Sequence, residues 1–267
     1  MEQVANMFMI TFKSFLRDKI LHAILSAVCV LFLIVPAMSI FSMRQVQELA
    51  ITLSLSLISF VLFILATILG ASSVWRDLER RYAHPVLGLP ISRTSYLLGK
   101  FLGIAVFISV CAILLSIAAS LVIAISARFY PSDLPVRWSY VFLAIAGIAL
   151  KFILLSLIAM VLSTLSTSFF LPFFGTICLY FAGSASQNVF EYISGEYGKH
   201  IAAPFLTLIK GVYYVIPNFS AFDLNVHAIY GLPVSWYGLI YTVSYFIVYI
   251  AILLCTAAWS FSRRELT

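Results

Sequence analysis

Charged residues are scarce in this chain of 267 residues: aspartate, glutamate, lysine and arginine make up 10% of it, whereas 63% is hydrophobic. A soluble globular protein needs roughly a quarter of its residues charged to cover its surface. We therefore expect a membrane protein. Cysteine is also rare, and the four cysteines lie in apolar segments without a CxxC pair, which favours buried apolar side chains over metal binding or redox chemistry.

The motifs of nucleotide-binding and catalytic sites are missing. The chain has no G-x-x-x-x-G-K-[ST] sequence to hold ATP phosphates and no HExxH zinc motif, and its four histidines lie in separate segments. We therefore expect no catalytic residue, no metal and no cofactor on this chain. The net charge of +6 is accounted for by basic loops beside the membrane, so a nucleic-acid partner is not expected either.

Long uncharged runs predict six membrane-spanning helices. Three of them lie between residues 19 and 44, 48 and 76, and 100 and 128, and each exceeds the roughly 20 residues that a crossing requires. A fourth run, 152–189, is divided by STLSTS and Pro172 into two helices. The expected fold is all-α, a single transmembrane domain over residues 1–267, with spans at 21–43, 50–74, 100–127, 139–163, 169–188 and 236–261.

The basic residues are distributed unevenly among the predicted loops. Ten of the sixteen precede the first span, surround the second loop or end the chain, five lie on the other side, and Lys151 is the remaining one. The positive-inside rule therefore places both termini and the 75–93 loop in the cytoplasm, with the spans in the inner membrane. Residues 189–235 then form an extracytoplasmic region, in which the short apolar stretch 202–216 is expected to fold as re-entrant short helices.

The segment before the first span predicts an amphipathic helix. Within residues 1–19, Val4, Phe8, Phe12 and Phe15 recur at helical spacing, and polar residues separate them. Such a helix lies in the membrane interface with its apolar face toward the lipid. We place it on the cytoplasmic side.

Residues 75–93, WRDLERRYAHPVLGLPISR, concentrate charge of both signs in an otherwise apolar chain. Trp75, Leu78 and Tyr82 would share one face of a short surface helix. Pro90 then marks a break, and Ser92 is placed to cap the following helix. A loop that only sets the topology needs neither feature, whereas a helix of mixed charge on the cytoplasmic surface suits the docking of a soluble partner.

The longer stretch WRDLERRYAHPVLGLPISRTSYLLGKFLG resembles the signature of ABC transporter permeases of the type-2 exporter class. The matching features are a run of acids and bases, a P-x-S-R elbow and a G-K-x-x-G sequence, and the predicted layout of the whole chain is also similar. The resemblance implies that residues 75–93 form a coupling helix seated in a separate ATPase subunit. The docking residues would be Asp77, Leu78, Glu79, Arg80, Arg81, Tyr82, His84, Pro90 and Arg93.

The same resemblance implies the partners and the activity. Two permease copies would pair, most simply as a homodimer, ATP and Mg would be bound by the ATPase subunit, and the substrate would be exported. An extracytoplasmic partner could bind the 189–235 region. The alternative function is a stand-alone six-helix channel or a scaffold for the assembly of other membrane proteins.

Lys151 is the charged residue that falls near the middle of a predicted span. Its insertion costs about 2.5 to 3.5 kcal/mol, so it should face the bundle, a dimer interface or a wet cavity. No acidic residue lies at a matching depth in any predicted span. Lys151 is therefore a candidate for the translocation path, where it would contact an anionic substrate or headgroup. The alternative is a lysine that snorkels or that donates to backbone carbonyls.

Two pairs of small residues permit close approach between helices. Gly99 and Gly103 lie four apart at the start of the third predicted span, and Ala66 and Gly70 lie four apart in the second. Such pairs are candidates for a dimer face.

Overall fold

The computed structural model describes residues 2–17, 20–41, 45–79, 92–129, 135–195 and 203–263. All regular secondary structure within these ranges is helical, which confirms the predicted all-α fold. The elements, in chain order, are α1 (Glu2–Arg17), α2 (Ile20–Phe41), α3 (Val46–Glu79), α4 (Arg93–Phe129), α5 (Trp138–Leu165), α6 (Phe170–Ser194), α7 (Ala203–Val215), a 3-10 turn (Phe219–Phe222), α8 (Asn225–Tyr230) and α9 (Trp236–Arg263).

Helix α5 lies at the centre of the bundle. Every side chain from residue 151 to residue 160 is buried, so other helices surround this stretch on all sides. Helix α3 packs closely along it, because a Cβ atom added at Gly70 would lie 2.5 Å from the Cβ of Ala159 and 2.5 Å from the carbonyl oxygen of Ser156. The Ala66–Gly70 pair therefore serves contact within the chain, and its interpretation as a dimer face is wrong.

The N-terminal helix packs onto α4. A Cβ atom added at Gly99 would lie 2.5 Å from the Cβ of Met7, and one at Gly103 would lie 2.9 Å from the Cβ of Thr11. The Gly99–Gly103 pair is thus the seat of α1, which corrects its interpretation as a dimer face. Met7, Thr11 and Phe15 of α1 are buried. Of the predicted apolar stripe, Phe15 therefore belongs to the buried face, whereas Val4, Phe8 and Phe12 are half-buried beside it.

The segment between α6 and α9 enters the bundle. Residues Pro204–Val215 and Phe219–Tyr230 form a helix pair bent by 43°, the geometry of a broken span or a re-entrant loop. At the bend, Phe219 is 1% exposed and Phe222 is fully buried. A Cβ atom added at Gly147 of α5 would lie 2.6 Å from the carbonyl oxygen of Phe222. The 3-10 turn is thus buried against α5, whereas in α7 Phe205 is 66% exposed and Val215 is 77% exposed. The expected re-entrant helices at 202–216 remain a prediction.

Fewer than the six predicted spans are found when the helices of the described residues are judged by length and composition. Four helices, α3, α4, α5 and α9, are long and apolar enough to cross a membrane, and the bent pair would make a fifth. Helix α2 is 22 residues long, and the part of it for which side chains are described is apolar from Ile24 to Met38. Helix α6 occupies the predicted range 169–188 but is not one of the four. Six crossings therefore remain a prediction.

Helix α3 extends beyond its predicted end at residue 74. Residues 75–79 continue α3 as far as Glu79 rather than starting a separate surface helix. The hydroxyl of Ser163 in α5 holds this last part of α3, because it donates to the carbonyl oxygen of Ala71 at 2.8 Å and accepts from the backbone amide of Trp75 at 3.0 Å. The polar segment is therefore carried on a rigid extension of a long helix.

Candidate functional site

The predicted docking residues divide into those at the ends of the polar segment and those within it. Asp77 and Glu79 lie in the last turn of α3, and Leu78 lies between them, while Arg93 begins α4. The side chain of Glu79 is exposed and that of Asp77 is half-buried. Residues outside the described ranges are Arg80, Arg81, Tyr82, His84 and Pro90.

A cluster formed by Asp77, Tyr96 and Lys100 joins the two ends of this segment. The hydroxyl of Tyr96 donates to Oδ2 of Asp77 at 2.6 Å. The ammonium of Lys100 forms an ion pair with the same oxygen and also donates to the carbonyl oxygen of Ser73. Because Asp77 ends α3, whereas Tyr96 and Lys100 lie in the first turns of α4, the Asp77 cluster clamps the two helices together where the polar segment leaves them.

The Asp77 cluster is a largely buried ion pair. The side chain of Lys100 is 8% exposed and that of Asp77 is 28% exposed, and the ammonium lies 5.1 Å from the ring centroid of Tyr96. Removal of water from a charge costs several kcal/mol, and the removal of one partner of such a pair costs about 3 to 5 kcal/mol because it leaves the other charge uncompensated. The pair thus fixes the relative position of α3 and α4 more than it adds net stability.

The Asp77 cluster also contacts α9. The ring of Tyr96 stacks on that of Phe261, with centroids 5.7 Å apart and planes 11° apart, and both side chains are 1% exposed. Tyr96 therefore touches α3 through its hydroxyl and α9 through its ring. Three helices that are distant in sequence meet at one tyrosine.

A cavity of about 300 Å³ lies beside this cluster, between α1, α3 and α4. Charged and hydroxyl-bearing side chains form part of its wall, and Met7, Ile10 and Phe15 of α1 form the apolar part. The residues that line it are Met7, Ile10, Thr11, Ser14, Phe15, Ser72, Ser73, Arg76, Asp77 and Lys100.

Sequence reasoning missed Tyr96 and Lys100 as partners of Asp77. Lys100 was interpreted as a topological charge and as part of the G-K-x-x-G sequence, although its place two turns inside an apolar helix is a signal that it needs an acidic partner at the same depth. The cap of α4 was predicted correctly, since the hydroxyl oxygen of Ser92 accepts from the backbone amide of Ser95 at 3.2 Å.

Lys151 lies inside the bundle, as predicted. It is 6% exposed, and its ammonium lies 5.3 Å from the ring centroid of Phe152 and 6.0 Å from that of Tyr180. Among the residues that the structure describes, its ammonium has no hydrogen-bond acceptor, so the alternative of bonding to carbonyls is not observed there. An acidic charge does reach it: Asp223, which follows the 3-10 turn rather than lying in a predicted span, attracts it electrostatically.

No group of three or more histidine, cysteine, aspartate or glutamate side chains that could hold a metal ion is found among the described residues. The cysteines of these ranges are all free thiols.

Comparison with known proteins identifies one family. The sequence profile described as ABC-2 family transporter protein matches residues 5–266, which is nearly the whole chain. No curated protein matches the chain. The match includes every helix of the bundle and both ends of the polar segment.

Proposed function

Because this chain belongs to the ABC-2 family of transporter proteins and is the permease component of an ABC transporter, we propose that a separate ATPase subunit drives it and docks on residues 75–93. The partner would bind ATP and Mg, whose phosphate-binding motif this sequence lacks. Export is the proposed direction of transport. The docking contacts would come from the charged residues of the segment, Asp77, Glu79, Arg80, Arg81 and Arg93, with apolar support from Leu78 and Tyr82.

The Asp77 cluster is the observation that carries this proposal. A docking segment transmits movement only if it cannot bend independently of the bundle. Here Asp77 at one end is bonded to Tyr96 and Lys100 just beyond the other end. A partner that pulls on residues 75–93 would therefore displace α3 and α4 together, and α9 with them through Phe261.

The orientation and the assembly belong to the same proposal. The ten basic residues on the side of the polar segment favour a cytoplasmic location for it and for both termini, in the inner membrane. Pairing with a second copy is supported by the periphery of the bundle, where large apolar side chains of α9 such as Trp236 and Ile247 are well exposed. Lipid would cover whatever part of this surface the second copy leaves free.

The docking proposal is tested by purification of the tagged chain from its native membrane. We expect an ATPase subunit to copurify with it. Reversal of charge at Glu79, Arg80 and Arg81 should reduce the recovered ATPase by about tenfold, equivalent to about 1.4 kcal/mol of binding free energy. Asp77 is left unchanged so that the Asp77 cluster stays intact. The charge reversal Glu191→Lys, at an exposed position of α6, is the control and should leave the complex unaffected.

The variant permease must also elute as a single folded species. If the triple reversal retained the ATPase at the level of the Glu191→Lys control, residues 75–93 would not be the docking site. If no ATPase copurified with the unaltered chain from native membranes, the proposed partnership itself would fail.

A further inference from the structure

Lys151 occupies an unusual position for a charged side chain. It is the fourteenth of the 28 residues of α5, so it lies at the middle of a helix roughly 42 Å long, which is enough to cross a hydrocarbon layer about 30 Å thick. The helix is buried all round at this level. A charge at this depth persists only where neighbouring groups stabilise it.

The neighbours of Lys151 supply only part of that stabilisation. Cation–π contacts with Phe152 and Tyr180 contribute about 0.5 to 2 kcal/mol each. An ammonium has three donors, and within the described part of the chain none of them meets an acceptor. Asp223 attracts the charge, but no ion pair joins these two described residues. The site therefore offers hydrogen-bond donors that the described residues leave unused.

Four elements meet at Tyr180, one of the two rings beside this ammonium. Tyr180 of α6 lies against Phe63 of α3, with ring centroids 4.7 Å apart, and against Phe219 of the 3-10 turn at 5.7 Å. The surroundings thus combine a cation with a wall of aromatic rings, one of which carries a hydroxyl group. This combination fits a molecule that has both an anionic group and an apolar body.

We propose that Lys151 binds the anionic group, a phosphate or carboxylate, of an amphiphilic molecule that this permease transports. The inference rests on the proposed transport function. Lys151 is 6% exposed, so the ligand would gain full access to its ammonium when α6 and the 3-10 turn move away from α5. Asp223 competes with the ligand for the ammonium. Tyr180 and the phenylalanine rings contact the apolar part.

Binding is measured on the permease alone, in neutral lipid nanodiscs, with probes that share one alkyl chain. Dodecyl phosphate and dodecanoate carry the anionic groups, and dodecyltrimethylammonium is the cationic counterpart. We expect the two anionic probes to bind and the cationic probe to bind at least tenfold more weakly. Displacement by inorganic phosphate at comparable concentration would assign the site to a free anion, and the absence of displacement would assign it to an amphiphile.

Two variants of Lys151 distinguish the effect of its charge on binding from the effect of its size. Lys151→Met should weaken binding of dodecyl phosphate by about tenfold or more, because a hydrogen-bonded charge is lost. Lys151→Arg should keep the affinity within about threefold, since the charge remains. Lys210→Met is the matched control: Lys210 is exposed on α7, and its loss should change nothing.

Asp223→Asn gives a result that a purely structural role does not predict. Asparagine keeps an oxygen to accept from the amide of Asn225, which bonds Oδ1 of Asp223 at 3.0 Å, but it removes the competing charge. We expect anion binding to tighten about threefold. This variant also keeps the proposal testable if Lys151→Met does not fold. Unchanged or weaker binding in Asp223→Asn, or full affinity in Lys151→Met, would overturn it.

The assay contains no ATPase subunit, so its outcome is independent of the docking experiment. Anion binding by a permease with which no ATPase copurifies would contradict the proposed partnership and leave the anion site standing. A permease that binds its ATPase but shows no preference for the anionic probes would contradict only the anion site.

Discussion

Replacement of Gly70 by alanine tests whether α3 and α5 approach as closely as the structure shows. The new Cβ would lie 2.5 Å from the Cβ of Ala159 and 2.5 Å from the carbonyl oxygen of Ser156, about 1 Å closer than an optimal carbon contact of ~3.5 Å. Neither neighbour has a flexible end, so the helices must separate. Overpacking costs about 1 to 3 kcal/mol, and alanine regains about 1 kcal/mol of helix propensity. With the overpacking cost at its upper end, we expect a net loss of about 2 kcal/mol.

Gly211→Ala is the matched control for this substitution. No atom would lie within 4 Å of the added Cβ at Gly211 in α7, so only the helix-propensity gain of about 1 kcal/mol applies. The two variants should therefore differ by about 3 kcal/mol in the free energy of unfolding. The measurement is unfolding in mixed micelles with rising dodecyl sulfate, followed by circular dichroism. Equal stability of the two variants would refute the close contact between α3 and α5.

Two further predictions concern the Asp77 cluster. Lys100→Met should lower the free energy of unfolding by about 3 to 5 kcal/mol, because Asp77 is left uncompensated. The double variant Lys100→Met with Asp77→Asn should regain part of this loss. The control Lys13→Met, at an exposed position of α1, should leave the stability unchanged. A double variant no more stable than Lys100→Met alone would contradict this pairing. Tyr96→Phe keeps the ring on Phe261 and removes the 2.6 Å hydrogen bond to Asp77. The ATPase should still copurify, but stimulation of ATP hydrolysis should fall; unchanged stimulation would show that the bond plays no part in coupling.

The positions of the long helices could be predicted because a membrane requires uncharged runs of fixed length. The end of α3 could not be located in this way. Charged residues from Arg76 onward suggested that the helix stopped at residue 74, yet it continues to Glu79. The continuation depends on Ser163, which bonds Ala71 and Trp75 from a helix about 90 residues away in the sequence. A contact of this kind leaves no local pattern.

The sequence also could not predict which helices the small residues contact. A glycine pair four residues apart shows that a backbone can come close, but it does not say which backbone. Gly99 and Gly103 receive α1, and Gly70 receives α5. Both pairs are used within one chain, so neither remains as evidence for a dimer. Only the three-dimensional arrangement distinguishes these outcomes.

The depth of Lys151 was foreseen from its place in an uncharged run, but its surroundings were not. Asp223 belongs to a polar stretch outside the predicted spans, and its charge acts on Lys151 because Phe219 and Phe222 anchor that stretch inside the bundle. Predicted depth along a span therefore misses charges that a segment between spans brings inward. The same reasoning explains why Tyr180 was not selected, since its role follows only from its contact with Lys151.

Helix α3 connects the two sites. It carries Asp77 at the end beside the polar segment and Phe63 beside Tyr180 and Phe152, roughly 21 Å apart along the helix. Between them, Gly70 lies against Ala159 of α5 without room for a methyl group, so α3 cannot bend there toward α5. In the proposed permease, a displacement imposed on α3 through the Asp77 cluster would therefore shift Phe63 relative to Tyr180 and Lys151. The helix that receives the force of the ATPase would thus also form one wall of the anion site.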